Sequence, residues 1–411
     1  MLGFDVIVVG GGASGMMAAA RAAERGKRVL LLEKNGSLGE KLKITGGGRC
    51  NITNAEFDTR LLLKNYGDAA PFLFSPFSQF GVKDTFSFFE SRGLPLIIQA
   101  GKRAFPRTEK AADVCRVMEA YLKKNGVVVK TGTVVAKILA QKNHVLGVVA
   151  GGATYTADSV ILAAGGASHP ETGSTGDGFS WLKELKHTVK MPTPTIVPLG
   201  VQEQWVKSLA GVSLSPMKIT FFLNGVKRFS KKGEILFTHF GISGPTILNS
   251  SGKIGDLLHE GQVTAEIDSF PNLDAGSLER TIIEAWEGNK NKAFKNAFRD
   301  IAPKGMAVHI LPLLKGIDPE TKVHSITKEE RKKVVQTLKA LPCTITRLMG
   351  YDRAVVVDGG VVLKEIDTKT MRSKLYENLY VTGDLLHINR PSGGYSLQLC
   401  WTTGYVAGSH A

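Results

Sequence analysis

Gly10, Gly12 and Gly15 stand in the spacing GxGxxG, and Glu33 closes the next apolar run. A second cluster follows at once. In "KITGGGRCNITN" (residues 43–54), Thr45, Gly46, Gly47 and Gly48 lead into Arg49, Cys50 and Asn51. The first pattern has a definite chemistry. Gly10 allows a tight turn, and Gly12 lets a pyrophosphate approach the backbone at a helix N-terminus, where N–H groups and the helix dipole favour anions. Glu33 stands where a carboxylate can accept both hydroxyls of an adenosine ribose, and its charge disfavours a 2′-phosphate. FAD or NAD therefore fits better than NADP. The second cluster separates these two. Glycines in a row discard side chains and raise the ordering entropy, so a flat or bulky group must need that backbone close. An NAD dehydrogenase has no use for such a stretch directly after Glu33. FAD has one, because its ribityl chain and isoalloxazine ring lie along the chain, and FAD is the expected cofactor.

The elements that must position these residues are partly legible. "FDVIVVGGGASGMMAAARAAERGKRVLLLEK" reads strand, turn, helix, strand. Val6–Val9 is a β-branched apolar run suited to a buried parallel strand. The alanines after Gly15 suit a helix packed tightly on a sheet. Residues 72–93 read as one helix whose Phe77, Phe80, Phe88 and Phe89 form a core face. Residues 109–125 read as an amphipathic helix. Short strands follow between 127 and 163, with "ATYTA" and "SVILAAGG" as separate strands and the last returning to the first sheet. Asp177 opens a helix, either as its cap or as a cofactor contact. Three prolines in "KMPTPTIVPLG" (190–200) mark a domain crossing. Alternating strands with an Asn224–Gly225 hairpin come next, then a charged, mainly helical stretch over 276–340. "TRLMGYDRAVVVDGGVVLKEI" (346–366) returns to strands, "NLYVTGD" is the last strand of the first sheet, and 395–410 is the last helix. Asp384 follows "LYVTG", either as a turn cap or, if the chain is similar to flavoproteins with an acid at this point, as an acceptor for ribityl hydroxyls. The N-terminus of the last helix, near Gly393, Gly394 and Tyr395, is placed to stabilise negative charge at the flavin N1–C2=O.

Bulk properties narrow the class. The chain has 411 residues, room for two or three domains. No apolar run approaches a membrane span, so no membrane insertion is expected. "FDVIVVGGG" follows the first residues with no basic region and no cleavage site, so no secretory leader is expected. Four widely spaced cysteines form no CxxC pair, which excludes a dithiol motif or zinc knuckle and suits a reducing, cytoplasmic setting. No metal cluster is evident. The net charge is +15. Residues 191–351 hold 21 Lys+Arg against 15 Asp+Glu, and the remainder 31 against 22, so the excess is spread evenly and no basic arm stands out.

Five stretches in this order make the chain less generic: "LGEKLKITGGGRCNITN", "FPRTEKAADV", "AAGGASHPETGSTGDGF", "LFTHFGISGPTIL" and "GGYSLQLCWTTGYVAG". Together they closely resemble the BaiN/YhiN-like family of bacterial FAD-dependent, NAD(P)H-linked oxidoreductases, over nearly the whole chain. "INRPSGGYSLQLCW" leans toward the bile-acid reductase branch. Departures occur at Asp384 and His387, where the family reads Gly-Glu-x-Leu-Asp, at Ser396 in place of Asn, and at "VDGGV" in place of three glycines. They leave the substrate open.

The resemblance implies an α/β fold: a Rossmann-type FAD domain of the two-dinucleotide-binding flavoprotein superfamily, interrupted by an inserted β-rich domain and a small helical subdomain. The expected boundaries are 1–190 plus 352–411 for the FAD domain, 191–275 plus 341–351 for the insert and 276–340 for the helical part. The candidate FAD contacts are the first turn (Gly10, Gly12, Ala13, Ser14, Gly15), Glu33 and Lys34, and Lys41 with the glycine loop from Thr45 to Asn51. Val134, Ala164, Gly165 and Asp177 follow, then Gly383, Asp384, Gly393, Gly394 and Tyr395.

The implied chemistry is reduction of a C=C conjugated to a carbonyl. The first reading is a 3-oxo-Δ4/Δ6 bile acid, an acidic steroid enone. The alternatives are reduction of uridine in ribosomal RNA, oxidation of an amine such as aminoacetone, and a non-catalytic FAD-binding protein. Hydride transfer belongs to the cofactor. The protein must supply a proton to the carbon α to the carbonyl, and Cys50, His239 and Tyr395 are the candidates. Arg49 is placed to favour a Cys50 thiolate or to hold a substrate carboxylate or carbonyl. No second GxGxxG appears, so NADH or NADPH is expected to visit the flavin transiently and leave before the acceptor binds.

Overall fold

The apolar run at the start of the chain forms β1 (Leu2–Val9) and the next forms β2 (Val29–Leu32), parallel and in register from Val6↔Val29 to Val9↔Leu32. Both are buried, as β-branched and leucine runs covered on two faces should be. The computed structural model that shows this describes residues 2–350, 354 and 356–411. The expected crossing at 351/352, and the part of the 346–366 strand reading that spans it, lie outside the described residues. The chain divides into two units, Met1–Pro194 with Tyr351–Ala411, and Thr195–Gly350.

In the first unit, α1 (Ala13–Glu24) links β1 to β2, and α2 (Ala111–Lys124) packs against α1. β3 (Val128–Lys130) extends the sheet beyond β2. β4 (Val135–Gln141), β5 (His144–Ala150) and β6 (Ala153–Leu162) form an antiparallel meander that brings β6 parallel to β1. The two strands expected over 153–166 are one continuous strand. Its outer edge is shared: residues 153–156 pair with β5, and 160–162 pair in parallel with β7 (Leu379–Val381). The sheet order is β3-β2-β1-β6-β5-β4, with β7 on β6. α3 (Asp177–Glu184) and the C-terminal α4 (Tyr395–His410) complete this frame.

α4 lies very close to α1. A Cβ at Gly404 would sit 2.4 Å from the Ser14 carbonyl oxygen, and one at Gly408 would sit 2.3 Å from that of Ala18. This contact holds the two helix N-termini in fixed relation. The single helix expected over 72–93 is two helices, Ala70–Gln79 and Val82–Glu90. The chain breaks at Phe80, which is extended, and restarts at Gly81, whose N–H is accepted by Asp84 Oδ2 at 2.8 Å. The phenylalanine face is core as expected: all four rings are buried, and Phe89 meets Trp401 edge-on at 5.4 Å.

The second unit is a closed barrel of strands 199–201, 241–243, 226–238, 213–223, 263–268 and 341–348, in that spatial order. The Asn224–Gly225 hairpin has φ of 49° and 80°, the positive values a two-residue hairpin favours. Helices Ala275–Glu287, Phe294–Ile301 and Lys328–Lys339 share one apolar core with the barrel, through Trp286, Phe294, Phe298 and Leu338. Among the described residues no helix is long and apolar enough to cross a membrane.

Candidate cofactor and active site

A cavity of about 1140 Å³, open mouth included, lies in the first unit along the C-terminal ends of β1, β2 and β6. Its wall begins at Glu33, Lys34 and Val134, passes Gly10, Gly12, Ala13 and Ser14, and ends at Asp384, Ser396, Leu397 and Cys400. Lys41, Thr45, Ala164, Gly165 and Asp177 complete the sequence-predicted residues that line it.

The first end is built from backbone. A Cβ at Gly10 would lie 2.4 Å from the Ala163 carbonyl oxygen, and one at Gly15 would lie 1.8 Å from that of Gly10, so α1 starts hard against the sheet. Gly12 is different: its Cβ would meet nothing within 4 Å. It is the N-cap of α1, and no side chain caps that terminus. The open space thus lies where α1 presents its first N–H groups, as a pyrophosphate requires. Glu33 is buried. Its Oε2 accepts the Gly11 N–H at 2.6 Å and its Oε1 accepts the Asn35 N–H at 2.7 Å. A carboxylate has about four lone-pair sites, so both oxygens retain capacity for ribose hydroxyls.

Lys34 Nζ donates to Thr175 Oγ1 at 2.5 Å and pairs with Asp177 at 2.8 Å. Asn35 Nδ2 donates to the Thr172 carbonyl at 2.9 Å. Together they clasp loop 172–177 to the end of β2. Of the two roles open for Asp177, capping is not the one seen: the N-cap of α3 is Gly176, without a side-chain cap, and Asp177 faces the cavity. Burial would raise its carboxyl, but the hydrogen bonds from Lys34 and Thr175 hold it below the ordinary value.

At the far end, Asp384 accepts from Arg390 and lies 3.4 Å from Lys41 Nζ, which donates to Ser168 Oγ at 2.6 Å. Burial alone would push the Asp384 carboxyl up. The charges of Arg390 and Lys41 outweigh it and hold the group below the usual aspartate value. α4 begins here at Gly394, again without a side-chain cap.

The glycine loop is bent as its composition demands, with φ of 59°, 67° and 83° at Gly46, Gly47 and Gly48. All three are exposed, beyond the cavity wall that Thr45 contributes. The residues after it turn inward and hold α4. Asn51 accepts the Gly394 N–H at 2.9 Å and donates to the Ala104 carbonyl. Thr53 Oγ1 donates to Gln398 at 2.6 Å, and Asn54 Nδ2 donates to the Gly393 carbonyl at 3.1 Å. Asn51 thus ties the glycine loop to the start of α4.

The expected Cys50 thiolate is corrected. Cys50 is fully buried, and burial pushes its thiol up to about 12. Arg49 does not activate it: its guanidinium stacks 4.6 Å from the Phe105 ring centroid and pairs with Glu109 at 3.4 Å. Tyr395 is half-buried. Its ring meets Tyr66 edge-on at 5.8 Å, its carbonyl accepts the Tyr66 hydroxyl, and burial raises its phenol. A Cβ at Gly383 would lie 2.9 Å from Ser14 Oγ and 3.5 Å from Cys400 Sγ. His239 lies in the second unit, exposed at the turn between strands 226–238 and 241–243, edge-on to Phe240 at 4.9 Å. Sequence reasoning missed Asn35, Ser168 and Arg390. Ser168 stands in the glycine-rich stretch "AAGGASHPETGSTGDGF" but was not singled out there, Asn35 follows Glu33 and Lys34 with no pattern of its own, and the signal for Arg390 was the unusual "NRPSGGY".

The family described as HI0933-like protein Rossmann domain matches residues 4–410. The chain is 31% identical over 408 residues to a 3-dehydro-bile acid delta(4,6)-reductase of Clostridium scindens, covering 98% of each. It is 28% identical over 407 residues to a ribosomal RNA dihydrouridine synthase of Haemophilus influenzae, covering 97% of this chain and 96% of that one. Among solved structures, 3-ketosteroid delta1-dehydrogenase of Sterolibacterium denitrificans aligns with a TM-score of 0.56 at 14% identity, covering 100% of this chain and 99% of the other. A flavocytochrome c3 fumarate reductase in its open conformation aligns at 0.55 and 15% identity, covering 100% and 78%. At such identities the likeness is one of fold, and with the family match it bears out the Rossmann-type α/β architecture.

Proposed function

This chain belongs to the HI0933-like family, as its motifs suggested, and from that premise we propose an FAD-dependent oxidoreductase that uses NADH or NADPH to reduce a C=C conjugated to a carbonyl. The substrate we assign is a 3-oxo bile-acid enone. The observation that carries the cofactor is the order of groups along one cavity: a ribose acceptor at Glu33, an open helix N-terminus at Gly12, and a held carboxylate at Asp384 beside α4. The reductase from C. scindens, similar over nearly its whole length, supports the substrate class.

Bound there, FAD supplies the hydride carrier. Glu33 and the α1 terminus would hold the adenosine and pyrophosphate, and Asp384, held below the usual aspartate value by Arg390 and Lys41, would accept from ribityl hydroxyls. We assign proton delivery to the substrate α carbon to Tyr395, whose phenol burial raises; it is the first residue of α4 and the neighbour of the cavity-lining Ser396. Four free cysteines suit the reducing, cytoplasmic setting proposed for such an enzyme.

The test is anaerobic. The yellow protein is reduced with NADH, freed of excess and mixed with a 3-oxo-4-ene bile acid, and the oxidised flavin absorbance is followed. Rapid return with a saturated product is expected; no return removes the steroid. Uridine-containing ribosomal RNA is the second acceptor to try. It is favoured by the basic, exposed residues Lys227, Arg228, Lys231 and Lys232 on one barrel hairpin, and by the relative from H. influenzae.

A further inference from the structure

We propose that residues 166–176 are a lid on the cofactor cavity, clasped shut by side chains of the segment after β2, and that FAD enters and leaves only when this clasp opens. The inference rests on the FAD reading above and deepens it.

Two walls of the cavity meet here. One is the segment after β2, with Lys34, Asn35 and Lys41; the other is the loop between β6 and α3, with Thr172, Gly173 and Ser174. Among the described residues no backbone hydrogen bond joins them. Side chains do. Lys34 Nζ donates to Thr175 Oγ1 at 2.5 Å, Asn35 Nδ2 to the Thr172 carbonyl at 2.9 Å, and Lys41 Nζ to Ser168 Oγ at 2.6 Å. All three cross from the same segment to the same loop. They are spread from the Glu33 end of the cavity, at Lys34, to the Asp384 end, at Lys41. A ligand lying between those ends cannot pass sideways between the walls while the ties hold.

The loop is built to move as one piece. The Gly176 N–H donates to the Gly166 carbonyl at 3.2 Å and closes its base. Inside, the Thr172 N–H and hydroxyl both donate to the His169 carbonyl, at 2.9 and 2.7 Å. Ends held close and contacts made within the loop are the marks of a compact Ω-loop. Its sequence is "GASHPETGSTG", in which Ala167 and Pro170 are the only apolar side chains. A segment with so little apolar surface to bury opens at low cost, and polar ties decide whether it stays down. Gly165 and Gly176, with φ of 73° and 85°, stand at its two ends. Past Gly176 the chain is fixed again, because Phe179, Trp181 and Leu182 of α3 are buried. Asp177 stands on that fixed side and pairs with Lys34 at 2.8 Å. It thereby holds the ammonium in place to grip Thr175 across the boundary.

The test is kinetic and needs no turnover. FAD is mixed with full-length apoprotein, and the change in flavin fluorescence gives the association rate; dilution of the loaded protein gives the release rate. A lid that must open slows entry by the fraction of time it is shut, so a weaker clasp speeds entry and exit together. A residue that merely touches FAD changes release and leaves entry alone. Thr175→Val is the cleanest variant, because Thr175 is exposed and outside the described cavity wall, so the change removes a tie and no cofactor contact. It is expected to raise both rates about threefold, and the double variant Thr175→Val, Asn35→Ala about tenfold, the worth of one and two ordinary hydrogen bonds. Association within twofold of the parent in the double variant overturns the proposal, whatever happens to release. If the double variant fails to fold, Thr175→Val decides alone by the same limit. A yellow protein with parental association rates defeats only this inference, whereas a chain that binds no FAD defeats the functional reading with it.

Discussion

Glu33 Oε2 accepts the backbone N–H of Gly11 at 2.6 Å, inside the turn that GxGxxG builds. With Oε1 on the Asn35 N–H, the carboxylate is fixed before any ribose arrives. Glu33→Gln would turn one NH2 group toward a backbone N–H and leave that buried donor without an acceptor, at about 1–3 kcal/mol. Apoprotein titrated with FAD should bind about tenfold more weakly or worse, and its melting temperature should fall. Unchanged binding and melting would remove Glu33 from the site.

Gly12 and Gly404 should separate binding from folding. Gly12 has φ of −80°, which alanine accepts, and open space where the Cβ would go. Gly12→Ala should keep the parental melting temperature in the apoprotein but lose most FAD affinity. At Gly404 a Cβ would press on the Ser14 carbonyl oxygen at 2.4 Å. Overpacking of that kind costs about 1–3 kcal/mol, more than the roughly 1 kcal/mol of helix propensity that alanine gains over glycine. Gly404→Ala should therefore melt earlier. Equal melting of the two variants would contradict the tight α1–α4 contact.

The difference between these glycines marks how far the sequence could be read. Gly10, Gly12, Gly15 and Glu33 lie within one local unit, so spacing alone exposed the tight turn and the carboxylate that closes on it, as it did β1, β2 and the hairpin at Asn224–Gly225. Asn51 read as a flavin contact, and Thr53 and Asn54 had no reading of their own, because their partners, Gly394, Gln398 and Gly393, are more than three hundred residues away in the chain. Pairing at that distance leaves no local pattern. The break at Phe80–Gly81 was hidden for the opposite reason: the phenylalanine spacing continues across it and imitates one helix. Arg390 stood inside the quoted "INRPSGGY", but its role as a buried cation is visible only through Asp384 and Ser396.

Cys50 offers a sharp check. Its thiol, fully buried and pushed up to about 12, cannot supply a thiolate near neutral pH. Cys50→Ala should retain NADH-dependent flavin reduction and acceptor turnover within about twofold, while losing stability of the order of 1 kcal/mol for the small cavity left. The native protein should resist alkylation at this position until denatured. A hundredfold loss of turnover in a stably folded, yellow Cys50→Ala protein would restore the residue to the chemistry.

His187 predicts a pH dependence of stability. It is buried between Glu365, 2.9 Å from Nδ1, and Ser373 Oγ, 3.0 Å from Nε2. A carboxylate only accepts, so Nδ1 carries the proton, and the Ser373 hydroxyl donates to Nε2 while its oxygen accepts the N–H groups of Leu375 and Tyr376. Burial disfavours the imidazolium more than Glu365 favours it, and the pKa lies below its ordinary value of about 6.5. Above that value both folded and unfolded chains carry neutral imidazole, and the contribution is complete. As pH falls below it the unfolded chain takes up the proton first, so stability is lost toward the depressed folded pKa. Melting temperatures from pH 8 to 5.5 should decline more steeply in the parent than in His187→Gln, which has no proton to gain, although the variant starts lower because Glu365 and Ser373 lose a well-fitted partner. Parallel declines would show that this buried trio does not set the acid limb.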